Sequence, residues 1–377
     1  VAYFLPSDSY ALFHDALESD NVMGLVPTMH VVLFASLAGV GFGSGGECTS
    51  DEYAKNTSAL LQLHKSKIAG TVETSRQPPL NMFVAIMIER AALVEKRMAL
   101  RQLWQGVDNG TDGICMRFAI CKASDDSEEA LVSEQKDYGD FLVLDCDEGY
   151  GEGLLTKKLV QIMQAFRDAK KKKDACLGRD LFMKTDADTF VSGYHLRQSL
   201  STAIEEHGSE VLYAGVLRGS TDVKRGGFWI EPCENWANST FPPSMEGGPG
   251  YVLGRLLIER IIDKKYPKHH FLWNEDKAVG VWIDVLQQQG FHVDWVEIPG
   301  TTGFFWDNPI KNGVWSDYPY ALQHHLSAAC ITCLAELEQN NNGFAFFDGC
   351  FELDPLPEKD FAANWELEQS APACNET

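Results

Sequence analysis

Leu181-Phe182-Met183-Lys184-Thr185-Asp186-Ala187-Asp188-Thr189-Phe190-Val191 is an apolar run that ends in two carboxylates at i and i+2 and then turns apolar again. A run of this length reads as a buried strand. Carboxylates at the edge of a core are costly, because each loses hydration unless it is solvated, paired or bound to a cation. A hard divalent cation is the first candidate. Mg²⁺ and Mn²⁺ take oxygen ligands from one or two carboxylates, with water and substrate phosphates completing the shell. The stretch therefore reads as a metal–diphosphate site at the C-terminal end of a strand.

Moving outward, apolar runs and helical patterns alternate. Strands are expected over 80–88, 114–120, 141–144, 211–216 and 292–298, and helices over 90–104, 127–136, 152–173, 194–206, 253–264 and 275–289. Asn274 is placed to cap the last of these. Such alternation predicts an α/β fold, a mainly parallel sheet flanked by helices. Ligands in such sheets sit at the carboxyl ends of the strands, where Asp186 and Asp188 fall. The helix ending in Lys170-Lys171-Lys172-Lys173 matches its negative dipole end with cations, so these read as a solvated helix terminus rather than a phosphate site.

Charge narrows the function. A net charge of −22 and a pI near 4.8 argue against a broad nucleic-acid surface, since the field would repel a polyanion. An anionic ligand needs a local basic pocket or a metal. The ten cysteines are dispersed, and only Cys330 and Cys333 show two-residue spacing. Four Asn-x-Ser/Thr sequons, at Asn56, Asn109, Asn238 and Asn375, favour a secretory compartment, where disulfides are permitted.

The N-terminal part reads as a series of segments. After residues 1–21, Val22 to Phe42 carry no formal charge over 21 residues, enough to cross about 30 Å of hydrocarbon as a helix. A single-pass signal anchor, a signal peptide from Met23 or Met29, and a buried core segment all suit it. Residues 43–79, polar and ending in Arg76-Gln77-Pro78-Pro79, read as a stem or linker. A catalytic domain is expected over 80–335 and an acidic C-terminal tail over 336–377.

A second pair, Asp145-Cys146-Asp147, also follows an expected strand, and composition alone does not choose between the two. The order of the surrounding motifs does. The run Arg97-Met98-Ala99-Leu100-Arg101-Gln102-Leu103-Trp104, the segment from Tyr138-Gly139-Asp140-Phe141 to Leu154-Leu155-Thr156-Lys157, and Lys184-Thr185-Asp186-Ala187-Asp188 come first. The loop Gly247-Gly248-Pro249-Gly250-Tyr251-Val252-Leu253 and then Glu275-Asp276-Lys277-Ala278-Val279-Gly280 follow in order. Together they resemble the inverting beta-1,3-glycosyltransferase family, which includes the beta-1,3-galactosyltransferases and beta-1,3-N-acetylglucosaminyltransferases and, more distantly, Fringe and the core 1 galactosyltransferase.

The resemblance implies a GT-A-type, Rossmann-like α/β fold and transfer of galactose or an N-acetylhexosamine from a UDP-sugar, with Mn²⁺ or Mg²⁺. The acceptor would be a glycan, glycoprotein or glycolipid, and the compartment the Golgi lumen, as a type II membrane protein. It assigns Asp188 as the direct metal ligand and Asp186 to the ribose or the metal's water shell. His325, beside His324, resembles the late histidine that some relatives add to the metal. Asp276 would be the catalytic base; as a first-turn carboxylate it also suits simple helix capping. Arg97, Arg101 and Lys157 would lie on the nucleotide side, with Gly248 and Gly250 in the loop facing it. For Arg101 and Trp104, packing of the helix on the sheet is a competing reading. Asp145 and Asp147 then read as a solvated strand end. Ala187 stands where the family has a third acid, Lys277 where it has Val and Gly254 where Ser is common.

Overall fold

The computed structural model describes residues 80–89, 92, 94–108, 113–122, 128–227, 229–301 and 321–340. The expected segments over 1–21, 22–42 and 43–79, the sequons at Asn56, Asn109 and Asn375, and the tail beyond 340 lie outside them. Among the described residues no helix is long and apolar enough to cross a membrane.

The chain runs β1 (Met82–Met87), α1 (Val94–Asp108), β2 (Cys115–Cys121), α2 (Glu128–Tyr138), β3 (Phe141–Leu144), α3 (Leu154–Lys172) and β4 (Leu181–Asp186). Next come β5 (Phe190–Val191), α4 (Gly193–His207) and β6 (Leu212–Gly215). Four two-residue strands follow, β7 (Leu217–Arg218), β8 (Thr221–Asp222), β9 (Thr240–Phe241) and β10 (Ser244–Met245). β11 (Tyr251–Gly254), α5 (Arg255–Asp263), α6 (Tyr266–His269), α7 (Glu275–Gln288), β12 (Asp294–Glu297), β13 (Gly300–Thr301), β14 (Leu322–Gln323) and α8 (Ala328–Asn340) complete it. α8 is continuous across position 335.

Seven strands form the central sheet in the order β12-β6-β11-β4-β1-β2-β3. All pair in parallel except β11, which is antiparallel to both β4 and β6. This is the α/β, Rossmann-like arrangement, a mainly parallel sheet flanked by helices, that the sequence predicts. The pleat alternates side chains, so β1 sends Met82, Val84 and Ile86 to one face and Phe83, Ala85 and Met87 to the other. Leu100, Leu103 and Trp104 of α1, Leu196 and Leu200 of α4, and Ile331 and Leu334 of α8 cover the first face. Leu159, Ile162 and Phe166 of α3, Ile258 and Ile261 of α5, and Trp282 of α7 cover the second. Each large side chain so buried contributes about 1.5–3 kcal/mol, and a strand buried on both faces reads as a continuous apolar run.

One expected element is wrong. Residues 253–264 are not a single helix, because Tyr251 to Gly254 form β11, wholly buried, before α5 begins at Arg255. Four apolar residues abutting a helix have no period of their own to separate them from it. The strand matters, since it seats the preceding glycine loop against the end of β4.

Candidate active site

β4 ends at Asp186, which pairs across to Met87, so its carboxylate emerges at the C-terminal rim of the sheet. Ala187 and Asp188 form the turn into β5. β5 pairs antiparallel with β14, matching Leu322 to Val191 and Gln323 to Phe190. That register returns His324 and His325 to Asp188, and the Leu326 N–H donates to the Asp188 carbonyl at 2.9 Å. His324 Nε2 lies 3.0 Å from Asp188 Oδ1 and 3.7 Å from Asp186 Oδ2. His325 Nδ1 lies 3.6 Å from Asp188 Oδ2, and the two imidazoles lie close together, tilted by 32° with centroids 3.7 Å apart. Burial would raise the Asp188 carboxyl, but the two histidines, with Lys96 of α1 adding to them, hold it well below the usual carboxylate range. One ligand atom from each of Asp188, His324 and His325 falls within 4.8 Å of the others. A carboxylate with two imidazoles is a donor set that Mn²⁺ accepts, so these residues fit a divalent ion.

The glycine loop closes one side. The Gly248 carbonyl accepts from Thr189 Oγ1 at 2.8 Å and from the Asp186 N–H at 3.3 Å. A Cβ on Gly248 would sit 2.0 Å from the His324 ring, so only glycine permits this approach. Gly250 has φ +106°, and its Cβ would meet the Lys184 carbonyl at 2.4 Å. Gly248 and Gly250 thus pack the loop against β4 and His324.

α7 forms the opposite wall. Glu275, its first residue, is buried; burial raises its carboxyl above the usual range although Lys184 beside it opposes the shift. Tyr251 Oη donates to Glu275 Oε1 at 3.0 Å. Asp276 follows, its Cβ 3.1 Å from where a Gly247 side chain would begin. The Lys277 N–H donates to Asp276 Oδ1 at 2.7 Å, and Lys277 Nζ donates to Ser244 Oγ at 2.9 Å. Asn274 holds the N-cap position but its side chain makes no capping bond. Glu231 instead anchors the segment that leads into the helix. Its buried carboxylate accepts from the Trp273 N–H at 2.9 Å and the Asn274 N–H at 3.2 Å, and from Asn274 Nδ2 at 3.3 Å. Nothing in the sequence near either residue marks that contact across 43 positions.

The structure does not bring the expected nucleotide-side cations together. Arg97 is bound bidentately by Glu134 at 2.8 and 2.6 Å. Arg101 binds Asp140 at 2.7 and 2.9 Å and lies over the Tyr138 ring at 3.8 Å. Both guanidiniums tie α1 to α2 and β3, so the packing reading holds for Arg101, as it does for buried Trp104. Lys157 points outward, 5.9 Å from the Phe271 ring. Its neighbour Lys158 turns inward and donates to the Ile88 carbonyl and to Glu148, both at 2.8 Å, at the ends of β1 and β3. The helical periodicity of α3, whose inward face carries Leu159, Ile162 and Phe166, was the signal that could have separated the two. Asp145 pairs with Lys122 at 3.1 Å in solvent, the solvated strand end expected of it.

The Galactosyltransferase family model matches residues 95–292. The chain belongs to this family. The matched region runs from α1 to just before β12, and so includes Asp186, Asp188, the glycine loop and Asp276 but not His324 or His325. Over 220 residues the chain is 26% identical to the hydroxyproline O-galactosyltransferase GALT6 of Arabidopsis thaliana, covering 57% of this chain and 30% of that protein. Over 201 residues it is 27% identical to the Arabidopsis thaliana protein named "Probable beta-1,3-galactosyltransferase 12", covering 50% of each. It therefore spans half or less of the length of these relatives. The mannosyltransferase PcManGT from Pyrobaculum calidifontis, solved in complex with GDP-Man and Mn²⁺, aligns over 65% of this chain and 66% of its own, at a TM-score of 0.33 and 13% identity.

Proposed function

We propose that this chain transfers galactose from a UDP-sugar to a hydroxyl of a glycan or glycoprotein acceptor, with inversion and formation of a beta-1,3 linkage, in the Golgi lumen. The observation that carries the reading is the convergence of Asp188, His324 and His325 at the end of β4, with Asp276 across the glycine loop. Asp188 and the two histidines would hold Mn²⁺ or Mg²⁺, and Asp186 would face the ribose or the ion's water shell. When bound, the ion supplies Lewis acidity that offsets charge developing on the departing diphosphate.

The chain's own residues do the rest. Asp276 lies in the first turn of α7, beside the glycine loop, where its carboxylate can reach an acceptor hydroxyl in the cleft. It takes the proton of the acceptor hydroxyl as that oxygen bonds to the anomeric carbon and the bond to UDP breaks. Attack opposite the leaving group inverts the centre, so an alpha-linked donor gives a beta-linked product. The disulfides Cys115–Cys176 and Cys121–Cys146 and the exposed sequon at Asn238 support a secretory compartment.

The test is a screen of UDP-Gal, UDP-GlcNAc, UDP-GalNAc and UDP-Glc with Mn²⁺, against galactoside acceptors and a hydroxyproline peptide, the latter chosen from the name of the GALT6 relative. Acceptor-dependent UDP release, highest with UDP-Gal, is expected. Free sugar without acceptor would indicate a hydrolase instead. No turnover with any donor would leave a glycan-binding or scaffold role.

A further inference from the structure

Lys184 is fully buried, yet the reaction above gives it no task. Its Nζ lies 2.8 Å from Asp186 Oδ1, 3.1 Å from Glu275 Oε1 and 3.0 Å from the Gly247 carbonyl. An ammonium has three N–H donors, and each has one acceptor. The acceptors come from three separate segments: the end of β4, the first turn of α7 and the start of the glycine loop.

That arrangement fixes more than a charge. Asp186 turns Oδ1 inward to Lys184, which leaves Oδ2 on the side of His324 and the cleft. Glu275 is held by two donors, its Oε1 taking both Lys184 Nζ at 3.1 Å and Tyr251 Oη at 3.0 Å, and Oε2 packs so closely on Gly247 that a Cβ there would meet it at 2.7 Å. Because Asp276 is the next residue on the helix, a fixed Glu275 fixes the start of the turn that carries it.

We infer that Lys184 is the positioning residue of this site, a buried ammonium that sets the metal-side carboxylate Asp186 and the Asp276 turn at a fixed separation. The inference rests on the functional reading above. A purely structural lysine is replaceable together with its partner, since an apolar or neutral pair restores packing. A positioning lysine is not.

The experiment compares wild type, Lys184→Met and Lys184→Met/Glu275→Gln as full chains. Three quantities are read: the thermal midpoint, UDP affinity in Mn²⁺ by calorimetry, and kcat with KM for UDP-Gal transfer. Lys184→Met leaves a buried carboxylate uncompensated and is expected to melt earlier. The double variant removes that charge and is expected to regain most of the midpoint. It should nevertheless keep a kcat about 100-fold below wild type, the loss that a misplacement of about 1 Å produces, and UDP affinity should stay at least threefold weaker. Recovery of kcat and UDP affinity to within about threefold along with the midpoint would overturn the inference and leave the functional reading intact. A wild type that neither binds UDP with Mn²⁺ nor transfers would overturn both.

Discussion

Two clusters of buried charge lie on opposite sides of β1, and they are built differently. Between α1, α2 and β3, Arg97 and Arg101 face Glu134 and Asp140, two cations against two anions, with both guanidiniums engaged through bidentate contacts. At the end of β4, Asp186 and Glu275 share one buried cation, Lys184, while Asp188 faces His324 and His325 and Asp276 faces Lys277. The first cluster is complete by itself. The second carries an excess of carboxylates at a strand terminus, a donor set that a divalent cation suits. Both clusters look alike in sequence as charges near strands; balance separates a structural lock from a candidate binding site.

The sharpest way to break that contrast is to mutate each cluster and read both activity and stability. Asp276→Asn should lower kcat by about 10²- to 10⁴-fold, the range for loss of a general base, with an unchanged thermal midpoint. Asp188→Ala should abolish detectable transfer. His324→Ala should weaken Mn²⁺ binding by about 10- to 100-fold, and more than His325→Ala, since His324 lies closer to the carboxylate; equal effects in a Mn²⁺ titration would equate the two.

The closed cluster should respond in the opposite sense. Arg97→Met leaves buried Glu134 with Arg101 alone as its partner and should cost about 1.5–3 kcal/mol of stability in denaturant unfolding, while KM for the donor stays put. A raised donor KM in a stable variant would return Arg97 to the nucleotide side. Glu134 also gives this cluster an acid limit. Burial raises its carboxyl, but the bonds from Arg97 and Arg101 outweigh that and hold it below the usual glutamate range. The depressed group stabilises the fold fully above its ordinary value of about 4.3, and that stability is lost as pH falls through the lower folded value. Glu134→Gln should therefore show a flatter fall of thermal midpoint below about pH 4.3 than wild type. The smallest effect belongs to Lys157→Ala, whose turnover should match wild type, because the side chain is exposed beside the Phe271 ring.

How much of this was legible in the sequence depends on distance along the chain. β3 and the span of α7 were readable to within a residue because periodicity is local. The pair Asp186 and Asp188 was readable too, as charges that interrupt an apolar run. β11 was not, since four buried residues fused to a helix show no period. The partners of Arg97 and Arg101 lie 37 and 39 residues away, and the anchor from Glu231 to the start of α7 reaches across 43; only the fold brings them together. His324 shows the same limit. The sequence offers two adjacent histidines, and only the register of β14 on β5 brings both to Asp188. Lys184 was visible as a residue but not as a junction, because its three acceptors belong to three segments.

The central claim is that the carboxylate-rich rim of β4, and not the arginine cluster, is where the ion and the donor bind. The most direct test is a Mn²⁺ titration followed by electron paramagnetic resonance on wild type, Asp188→Ala and Arg101→Met. The account predicts a single tight Mn²⁺ in wild type and in Arg101→Met, and its loss in Asp188→Ala. Undiminished binding in Asp188→Ala, or loss of binding in a folded Arg101→Met, would contradict it.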